Sequence, residues 1–308
     1  MDIRKVKTDK MDSLKLASYV IDNHRHLVNY SADSEIYSEL RILSRQYLHY
    51  VKMLANAKVN LTDILDRTMP GIKPLLKSSV RTTGKNKLCD FVERFWHCDV
   101  ITRMSESKFV SEYIKWAQKK GYHSNETKAK SLYANALESI PTLPSKSPST
   151  KMLVLEAAKV VSNLETTLAV ILSQMSDLAK SLPEFSVVRE MSGVGDVLAP
   201  RIIAEIGDVK RFHSASALVA YAGIDTPPYE SGEFRASNRK ITKRGSASLR
   251  KTGYEIMQAL KVVRPQNDNA VYQYLIKKES EGKPLKVAKI AALNKFLRIY
   301  YSRVKEVY

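Results

Sequence analysis

The sequence predicts a mainly α-helical protein, with two long helices and a compact helical C-terminal region. Three observations support this fold class. Apolar residues recur every three or four positions over two long stretches, strand-like alternation is scarce, and proline or glycine follows the helical stretches. The chain has 308 residues, of which 44% are hydrophobic and 27% are charged, a composition typical of soluble globular proteins.

The first half of the chain contains the first long helix. A shorter helix is predicted from about Thr8 to Tyr30, and a heptad pattern then runs from Ile36 to Leu61. The pattern stops near Met69-Pro70-Gly71, because proline disfavours further helix and glycine permits a turn. Heptad spacing of this kind suits a helix that lies against another helix.

The second long helix follows a stretch of shorter helices and a linker. The linker is predicted near residues 141–150, which are rich in Pro, Ser and Thr, and the second heptad pattern runs from Val154 to Leu182. The two long helices could form an antiparallel hairpin, a coiled coil between subunits, or an ordinary helical core, and periodicity does not choose among them. The predicted organisation is an N-terminal segment 1–30, a helical or coiled-coil region 31–182 and a C-terminal region 183–308.

The charge balance indicates a polyanionic partner. Fifty Lys and Arg against 32 Asp and Glu give a formal net charge of +18. Such an excess favours nucleic acid, because neutralising phosphates releases condensed counterions. The sequence contains no apolar run long enough for a membrane span and no signal peptide at its start, so we expect a cytoplasmic protein without a membrane partner.

A Gly-x-Gly turn, Gly193 to Gly195, precedes a predicted helix in the C-terminal region. Backbone N–H groups at such a turn lie at the positive end of a helix dipole, where phosphate oxygens fit. The motif resembles a helix-hairpin-helix element that grips a nucleic-acid backbone without reading bases. A plain turn between two helices is the alternative.

A strongly basic stretch surrounds Ser231. From Ser231 through Lys251 there are seven basic residues and one acid. The candidates for phosphate contacts are Arg235, Arg239, Lys240, Lys243 and Arg244. A serine that attacks phosphorus needs an accessible hydroxyl, a proton acceptor and nearby cations, and this stretch supplies the first and the third. Without an obvious base beside it, Ser231 is also consistent with an ordinary turn residue.

The short motif KTDKMD near the start of the chain carries Asp9 and Asp12. Their spacing of three residues puts both carboxylates on one face of a helix, where they could share a cation. A solvated helix face is the alternative. The two cysteines, Cys89 and Cys98, lack the spacing of a zinc site and are predicted to be buried thiols.

Several segments together carry a resemblance to a known family. KTDKMD, MPGI, MSGVGDVLAPRIIAEIGD, FHSASALVAYAGI and YESGEFRASNRKITKRGSASLR occur in this order. In that arrangement the chain resembles the DEDD-type insertion-sequence transposases, which are bridge-RNA-guided serine recombinases. The resemblance spans nearly all of the chain, and its C-terminal block is the most specific part.

The resemblance implies a function and a set of site residues. Family members have a RuvC-like nuclease fold in which four acids hold Mg²⁺, then a coiled coil, then a transposase domain whose serine bonds covalently to DNA. Asp9 and Asp12 match the third and fourth acids, and Ser231 matches the nucleophile. The implied partners are DNA, a structured guide RNA, and further copies of the chain held through the heptad helices.

One departure from the family pattern sets a further expectation. The resemblance places a strand-rich segment with two more acids ahead of KTDKMD, and eight residues precede Asp9. We therefore expect residues 1–30 to be a remnant of a RuvC-like domain and DNA strand exchange by this chain alone to be impaired. The alternative is a noncatalytic protein, derived from a transposase, that binds nucleic acid and oligomerises.

Overall fold

The computed structural model describes residues 8–25, 34–77, 86–226, 230–231, 234–235, 240–266 and 269–308. The chain divides into two compact units, Met1–Ser34 and Glu35–Tyr308. The mainly α-helical fold predicted from the sequence is confirmed. Within the described residues there are fourteen α-helices, one 3-10 turn and one pair of two-residue strands.

The first unit contains one described helix, α1 (Asp9–Asn23). The second unit contains, in chain order, α2 (Glu35–Thr68), α3 (Ile72–Leu75), α4 (Lys87–Arg94), α5 (Cys98–Thr102), α6 (Glu106–Lys120), α7 (Glu126–Glu138), α8 (Pro148–Lys180), α9 (Phe185–Glu190), α10 (Gly195–Ile206), a 3-10 turn (Val209–Arg211), α11 (Ala215–Tyr221), β1 (Glu230–Ser231), β2 (Phe234–Arg235), α12 (Ala247–Val263), α13 (Ala270–Ser280) and α14 (Leu285–Lys305).

The two long predicted helices are α2 and α8, and they pack against each other in antiparallel directions. Tyr37 and Leu40, near the start of α2, share a buried cluster with Met175 and Ala179, near the end of α8. At mid-length, Lys58 Nζ lies 2.6 Å from Glu165 Oε1. Of the arrangements that the heptads left open, the fold therefore contains the antiparallel pair within one chain.

The ends of both long helices follow from their sequence. Proline at the first position of α8 suits a helix start, because its missing N–H has no partner to lose there. Gly71 has a φ of +77°, a left-handed conformation that glycine adopts without steric cost, and it separates α2 from α3. The end of α2 at Thr68 agrees with the stop predicted at Met69-Pro70-Gly71, whereas α8 begins at Pro148, inside the segment 141–150 predicted as a linker.

Two buried hydrophobic clusters each contain residues of both α2 and α8. The middle cluster joins the second half of α2 and the first half of α8 to α4 through α7, and it includes Phe91, Phe109 and Tyr113. The C-terminal cluster joins the other ends of α2 and α8 to α9 through α14. The long helices thus connect the middle helices with the C-terminal region.

The segment predicted as a linker connects α7 to α8 and is hydrogen-bonded to the middle helices. The backbone N–H groups of Thr142 and Leu143 donate to the carbonyl oxygen of Arg67 at 3.0 and 3.1 Å. The Leu143 carbonyl oxygen lies 2.9 Å from Nε2 of the buried His97. These contacts join the segment to the end of α2 and to the turn before α5.

A buried carboxylate joins three distant parts of the second unit. The hydroxyls of Tyr37 and Tyr308 donate to the two oxygens of Glu184, each at 2.6 Å. Glu184 is only 1% exposed, so the two hydroxyls supply hydrogen bonds that water cannot readily provide. This Tyr37–Glu184–Tyr308 contact fastens the start of α2 and Tyr308, three residues beyond α14, to the turn before α9.

None of the described helices combines the length and apolar character that crossing a membrane requires.

The Tyr37–Glu184–Tyr308 contact predicts a loss of stability at alkaline pH. Burial, followed by the hydrogen bond to Glu184, raises the pKa of Tyr308 to about 12, whereas an unfolded tyrosine ionises near a pH of about 10. Between these values the unfolded chain has released a proton that the folded chain still holds, so stability falls as the pH rises. The free energies of unfolding of wild type and Tyr308→Phe, measured in urea from about pH 8 to about pH 12, should therefore approach each other as the pH rises.

Tyr19 supplies the matched control, since its side chain is exposed on α1. The gap between wild type and Tyr19→Phe should stay constant over the same pH range. A gap between wild type and Tyr308→Phe that also stays constant would contradict the assigned role of Tyr308.

Candidate nucleic-acid interface

The predicted nucleophile lies in a short β-hairpin. Strands β1 and β2 pair antiparallel, with Glu230 opposite Arg235 and Ser231 opposite Phe234. The backbone of Ser231 is therefore at the end of the ladder, next to the connection between the strands. The side chains of Ser231 and Arg235, and all of Arg239, lie outside the described residues.

The segments before and after the hairpin come together at its base. The Thr242 N–H donates to the Asp225 carbonyl oxygen at 3.0 Å, and the Lys243 N–H donates to the Gly223 carbonyl oxygen at 3.0 Å. The Thr242 hydroxyl also donates to the Asp225 carboxylate at 2.6 Å. We call residues 223–226 together with 240–246 the hairpin base.

Close backbone packing holds the hairpin base to the end of α11. A Cβ on Gly245 would lie 2.0 Å from the Tyr221 carbonyl oxygen, so only glycine fits there. The guanidinium of Arg250 donates from Nη1 to the carbonyl oxygens of Ala222 and Gly245, each at 3.0 Å. Arg250 thus fastens the base to the first turn of α12, a role that its place in a basic run does not reveal.

Three of the predicted phosphate-binding cations lie on the hairpin base. Lys240, Lys243 and Arg244 are exposed, and within the described residues none of their side chains forms an ion pair with an acid. Lys243 has a φ of +56°, a conformation that is uncommon outside glycine. The hairpin base therefore presents three cations close in sequence to the strand that carries Ser231.

The two glycines of the Gly-x-Gly turn have different surroundings. Both have positive φ values, +87° for Gly193 and +59° for Gly195. A Cβ on Gly193 would lie 2.9 Å from the backbone of α12, whereas a Cβ on Gly195 would meet nothing within 4 Å. Gly193 therefore allows the turn to pack closely against α12. Gly195 is the first residue of α10, and no described residue lies within 4 Å of the position that its Cβ would take.

The first turn of α10 already carries an anion. The Asp196 carboxylate accepts a hydrogen bond from Nε of Arg189, and this bond lowers the pKa of Asp196. A phosphate bound at this helix end would compete with Asp196 for the positive end of the helix dipole and for Arg189. Phosphate binding by the Gly-x-Gly turn therefore stays a prediction.

Asp9 and Asp12 lie in the first turn of α1, in the first unit. Thr8 caps this helix by accepting a hydrogen bond from the Met11 N–H at 3.3 Å. Both aspartates are exposed, and Asp12 Oδ1 lies 4.0 Å from Lys15 Nζ. Two exposed carboxylates one turn apart supply hard oxygen ligands that suit a divalent cation, and they fit part of a metal site.

One further group of metal-ligand types, His97, Cys98 and Asp99, lies in the second unit. Nδ1 of His97 accepts a hydrogen bond from the Asp99 N–H at 3.0 Å, and Nε2 lies 2.9 Å from the Leu143 carbonyl oxygen. Burial raises the pKa of the Cys98 thiol to about 11, which disfavours the thiolate that binds metals. The two contacts of His97 occupy both of its ring nitrogens, and the hydrogen bond accepted by Nδ1 caps α5. Cys98 and Cys89 are buried free thiols, as predicted.

A buried ionic group that the sequence analysis missed joins α2, α10 and α12. Glu205 accepts a hydrogen bond from the Ser44 hydroxyl at 3.0 Å, and burial raises the pKa of this carboxyl. Arg201 Nη1 lies 2.7 Å from Glu255 Oε2, and its guanidinium lies 5.3 Å from the Tyr47 ring centre. The only signal in the sequence was two charged residues within an otherwise apolar helix pattern.

Comparisons with known proteins identify two segments of the chain. Residues 1–70 match a transposase model for DEDD enzymes of IS110 elements, and residues 186–273 match the Transposase IS116/IS110/IS902 family model. A relative, the insertion element IS116 uncharacterized 44.8 kDa protein of Streptomyces clavuligerus, is 23% identical over 283 residues. That alignment covers 90% of this chain and 65% of the relative.

Both matches are to one class of protein, the transposases of insertion elements. Within that class, the first model is for DEDD transposases of IS110 elements and the second is for the IS116/IS110/IS902 family, and each matches less than half of the chain. The second match contains the Gly-x-Gly turn, Ser231 and the hairpin base, and the first contains Asp9 and Asp12. The chain spans 65% of the length of the relative that it matches.

The different surroundings of the two glycines predict different effects of alanine. Gly193→Ala combines left-handed strain with a clash against the α12 backbone and should lower the free energy of unfolding by roughly 2 to 4 kcal/mol. Gly195→Ala, the matched control, meets open space and should cost about 1 kcal/mol, from the strain alone. Urea unfolding of both variants measures the difference, and equal losses would contradict the packing role of Gly193.

Proposed function

We propose that this protein takes part in DNA transposition by cleaving and exchanging DNA strands, with Ser231 as the nucleophile. The observation that carries the proposal is the arrangement of the hairpin. Ser231 lies in β1, and the base of the same hairpin presents Lys240, Lys243 and Arg244 to solvent. The match of residues 186–273 to a transposase family supports the same interpretation.

The proposed reaction is a transesterification. The Ser231 Oγ attacks the phosphorus of a DNA phosphodiester, an O–P bond forms, and the bond from phosphorus to the 3′ oxygen breaks. The products are a 5′-phosphoserine and a free 3′-hydroxyl, which takes up the proton that the serine loses. The reverse attack by a 3′-hydroxyl from another strand would join the new ends and restore the serine.

The cations of the hairpin base have a direct role in this scheme. Charge builds up on the non-bridging phosphoryl oxygens as the serine attacks, and positively charged groups held nearby stabilise that charge. The hydrogen bonds from Thr242 and Lys243 to the segment before β1 fix the path of the cationic segment. Lys243 and Arg244 would therefore stabilise the transition state, with Arg235 and Arg239 as further proposed contacts.

We also propose that Asp9 and Asp12 contribute ligands to a divalent metal site, with Mg²⁺ as the ion. Such an ion supplies Lewis-acid stabilisation of phosphoryl oxygens. The match of residues 1–70 to a DEDD transposase model supports this assignment, because transposases of this class commonly use divalent metal ions. The part of this chain is to present two carboxylates on one face of α1.

Domain roles and partners complete the proposal. Residues 183–308 would form the DNA-processing region, with the Gly-x-Gly turn as a helix-hairpin-helix-like backbone contact, and residues 31–182 would form the helical region through which copies associate. Residues 1–30 would belong to a RuvC-like nuclease domain. DNA is the proposed substrate and a structured guide RNA the proposed partner, as in the recombinases that the sequence resembles.

Ser231→Ala tests the nucleophile. Wild-type protein, incubated with Mg²⁺, guide RNA and DNA that carries the element ends and target, should form a covalent protein–DNA adduct detectable on a denaturing gel, at the low level that impaired strand exchange implies. Ser231→Ala should abolish that adduct because it lacks the attacking oxygen, while DNA affinity measured by fluorescence anisotropy stays within about twofold.

Ser237→Ala is the matched control, since it removes a hydroxyl from the same stretch of sequence and should leave the adduct unchanged. Adduct formation by Ser231→Ala at the wild-type level would refute the assignment. DNA binding without an adduct in any of the three proteins would favour a noncatalytic protein that binds nucleic acid.

Replacing both Asp9 and Asp12 by Asn tests the metal ligands. The double variant loses two negative charges that attract the cation, so Mg²⁺-dependent strand cleavage should fall by about tenfold or more. Asp22→Asn, near the other end of α1, provides the control. Equal cleavage by wild type and the double variant would show that these carboxylates lie outside the metal site.

A further inference from the structure

The positive charge of the chain is concentrated at its C-terminal end. Residues 240–308 contain sixteen Lys and Arg against five Asp and Glu, which is a net +11 of the +18 carried by the whole chain. Three of the acids are already paired, each at 2.7 Å: Glu255 with Arg201 of α10, Glu279 with Lys261 of α12, and Glu281 with Lys278 of α13. Much of the positive charge on α12 and α14 therefore has no neutralising neighbour among the described residues.

Part of this charge forms a continuous surface beyond the hairpin base. Lys251 and Tyr254 lie three residues apart on α12 and are neighbours on its surface. Lys289 of α14 places its Nζ 5.1 Å from the centre of the Tyr254 ring. Lys286 is exposed one turn before Lys289. We call these four residues the α12–α14 ridge.

A single glycine accounts for the close approach of the two helices. A Cβ on Gly253 would lie 2.5 Å from Cδ1 of Leu293, which is buried at 1% exposure. Absence of a side chain at Gly253 therefore allows α14 to cross α12 next to Tyr254. Lys289 is one turn before Leu293 on α14, so the crossing brings its ammonium over the Tyr254 ring, where a cation–π interaction favours it.

The ridge continues directly from the hairpin base. Ser246 is the last residue of the base and caps α12, accepting a hydrogen bond from the Leu249 N–H at 3.1 Å. From Ala247 to Tyr254 the helix rises about 10 Å, at roughly 1.5 Å per residue. This length corresponds to about three base pairs of duplex, at roughly 3.4 Å each.

We infer that the α12–α14 ridge binds the phosphate backbone of the DNA duplex that flanks the site of strand exchange. The inference rests on the proposed function for the identity of its ligand. Lys251 and Lys286 are exposed and Lys289 is half-buried against Tyr254. Lysines at the surface of two helices suit backbone contacts, because ammonium groups act as point charges and read no base sequence. The ridge would hold the flanking duplex while the hairpin contacts the phosphodiester to be cut.

Binding of a duplex at several salt concentrations tests the ridge without any need for catalysis. The probe is a fluorescently labelled mixed-sequence DNA duplex of about 30 base pairs, a length that covers many non-specific registers. Each lost phosphate contact reduces the slope of log affinity against log salt by about 1. The double variant Lys251→Gln, Lys289→Gln should therefore show a slope shallower by about 2 than wild type.

The same change can be stated as a fold difference. Between about 50 and about 200 mM salt, wild type should lose roughly tenfold more affinity than the double variant loses. The matched control carries Lys108→Gln and Lys119→Gln, which remove two exposed charges from α6. Its slope should equal that of wild type, and Lys251→Arg with Lys289→Arg should also keep the wild-type slope.

Each outcome decides the inference. A slope equal to that of the α6 control overturns the ridge as a DNA contact. A shallower slope with an RNA duplex of the same sequence but not with DNA also overturns it, and assigns the ridge to RNA. Circular dichroism melting curves that match wild type show that the variants are folded. Because this assay contains no Mg²⁺ and needs no adduct, failure of the Ser231 proposal leaves its result unchanged.

Discussion

The antiparallel packing of α2 against α8 is the contact on which the rest of the second unit depends. Both hydrophobic clusters include residues from both helices, so separating the pair would expose the middle helices and the C-terminal region together. Burial of apolar area at about 25 cal/mol per Å² makes such a long helix seam a large term in stability. The polar contacts around Glu184 and Glu205 then fix the seam to α9, α10 and α14.

In the hairpin base, the residues that hold the backbone in place differ from the exposed cations. Gly245 and Arg250 act on backbone carbonyl groups, so they hold the loop in place without using the cations of Lys243 and Arg244. The side chains of Lys243 and Arg244 therefore remain available to a ligand, while Arg250, which is also positively charged, holds the backbone. A basic run in a sequence can therefore contain both scaffold and contact residues.

Much of the fold could be predicted from the sequence because its helices have strong local signals. Heptad spacing and the positions of Pro and Gly predicted both long helices, α2 and α8. Which of the long helices would pair, and how, could not be predicted, since α2 and α8 contact each other across the five helices that separate them in the sequence. For the same reason the motif Gly193-Val194-Gly195 did not reveal that its first glycine serves packing against α12. The guanidinium of Arg250 was equally hidden, because its two acceptors belong to a loop and a helix end.

The link between Tyr37 and Tyr308 spans 271 residues, and this separation bears on how the protein is made. A ribosome adds about 5 to 20 residues per second, so tens of seconds pass between synthesis of the two tyrosines. Until α8 has been made, about halfway through that interval, the beginning of α2 cannot bury Tyr37 and Leu40 against Met175 and Ala179. The hydroxyl of Tyr37 gains its contact with Tyr308 only at the end. The nascent chain therefore presents an unsatisfied apolar helix face to the cell, which is the kind of surface that chaperones recognise during translation.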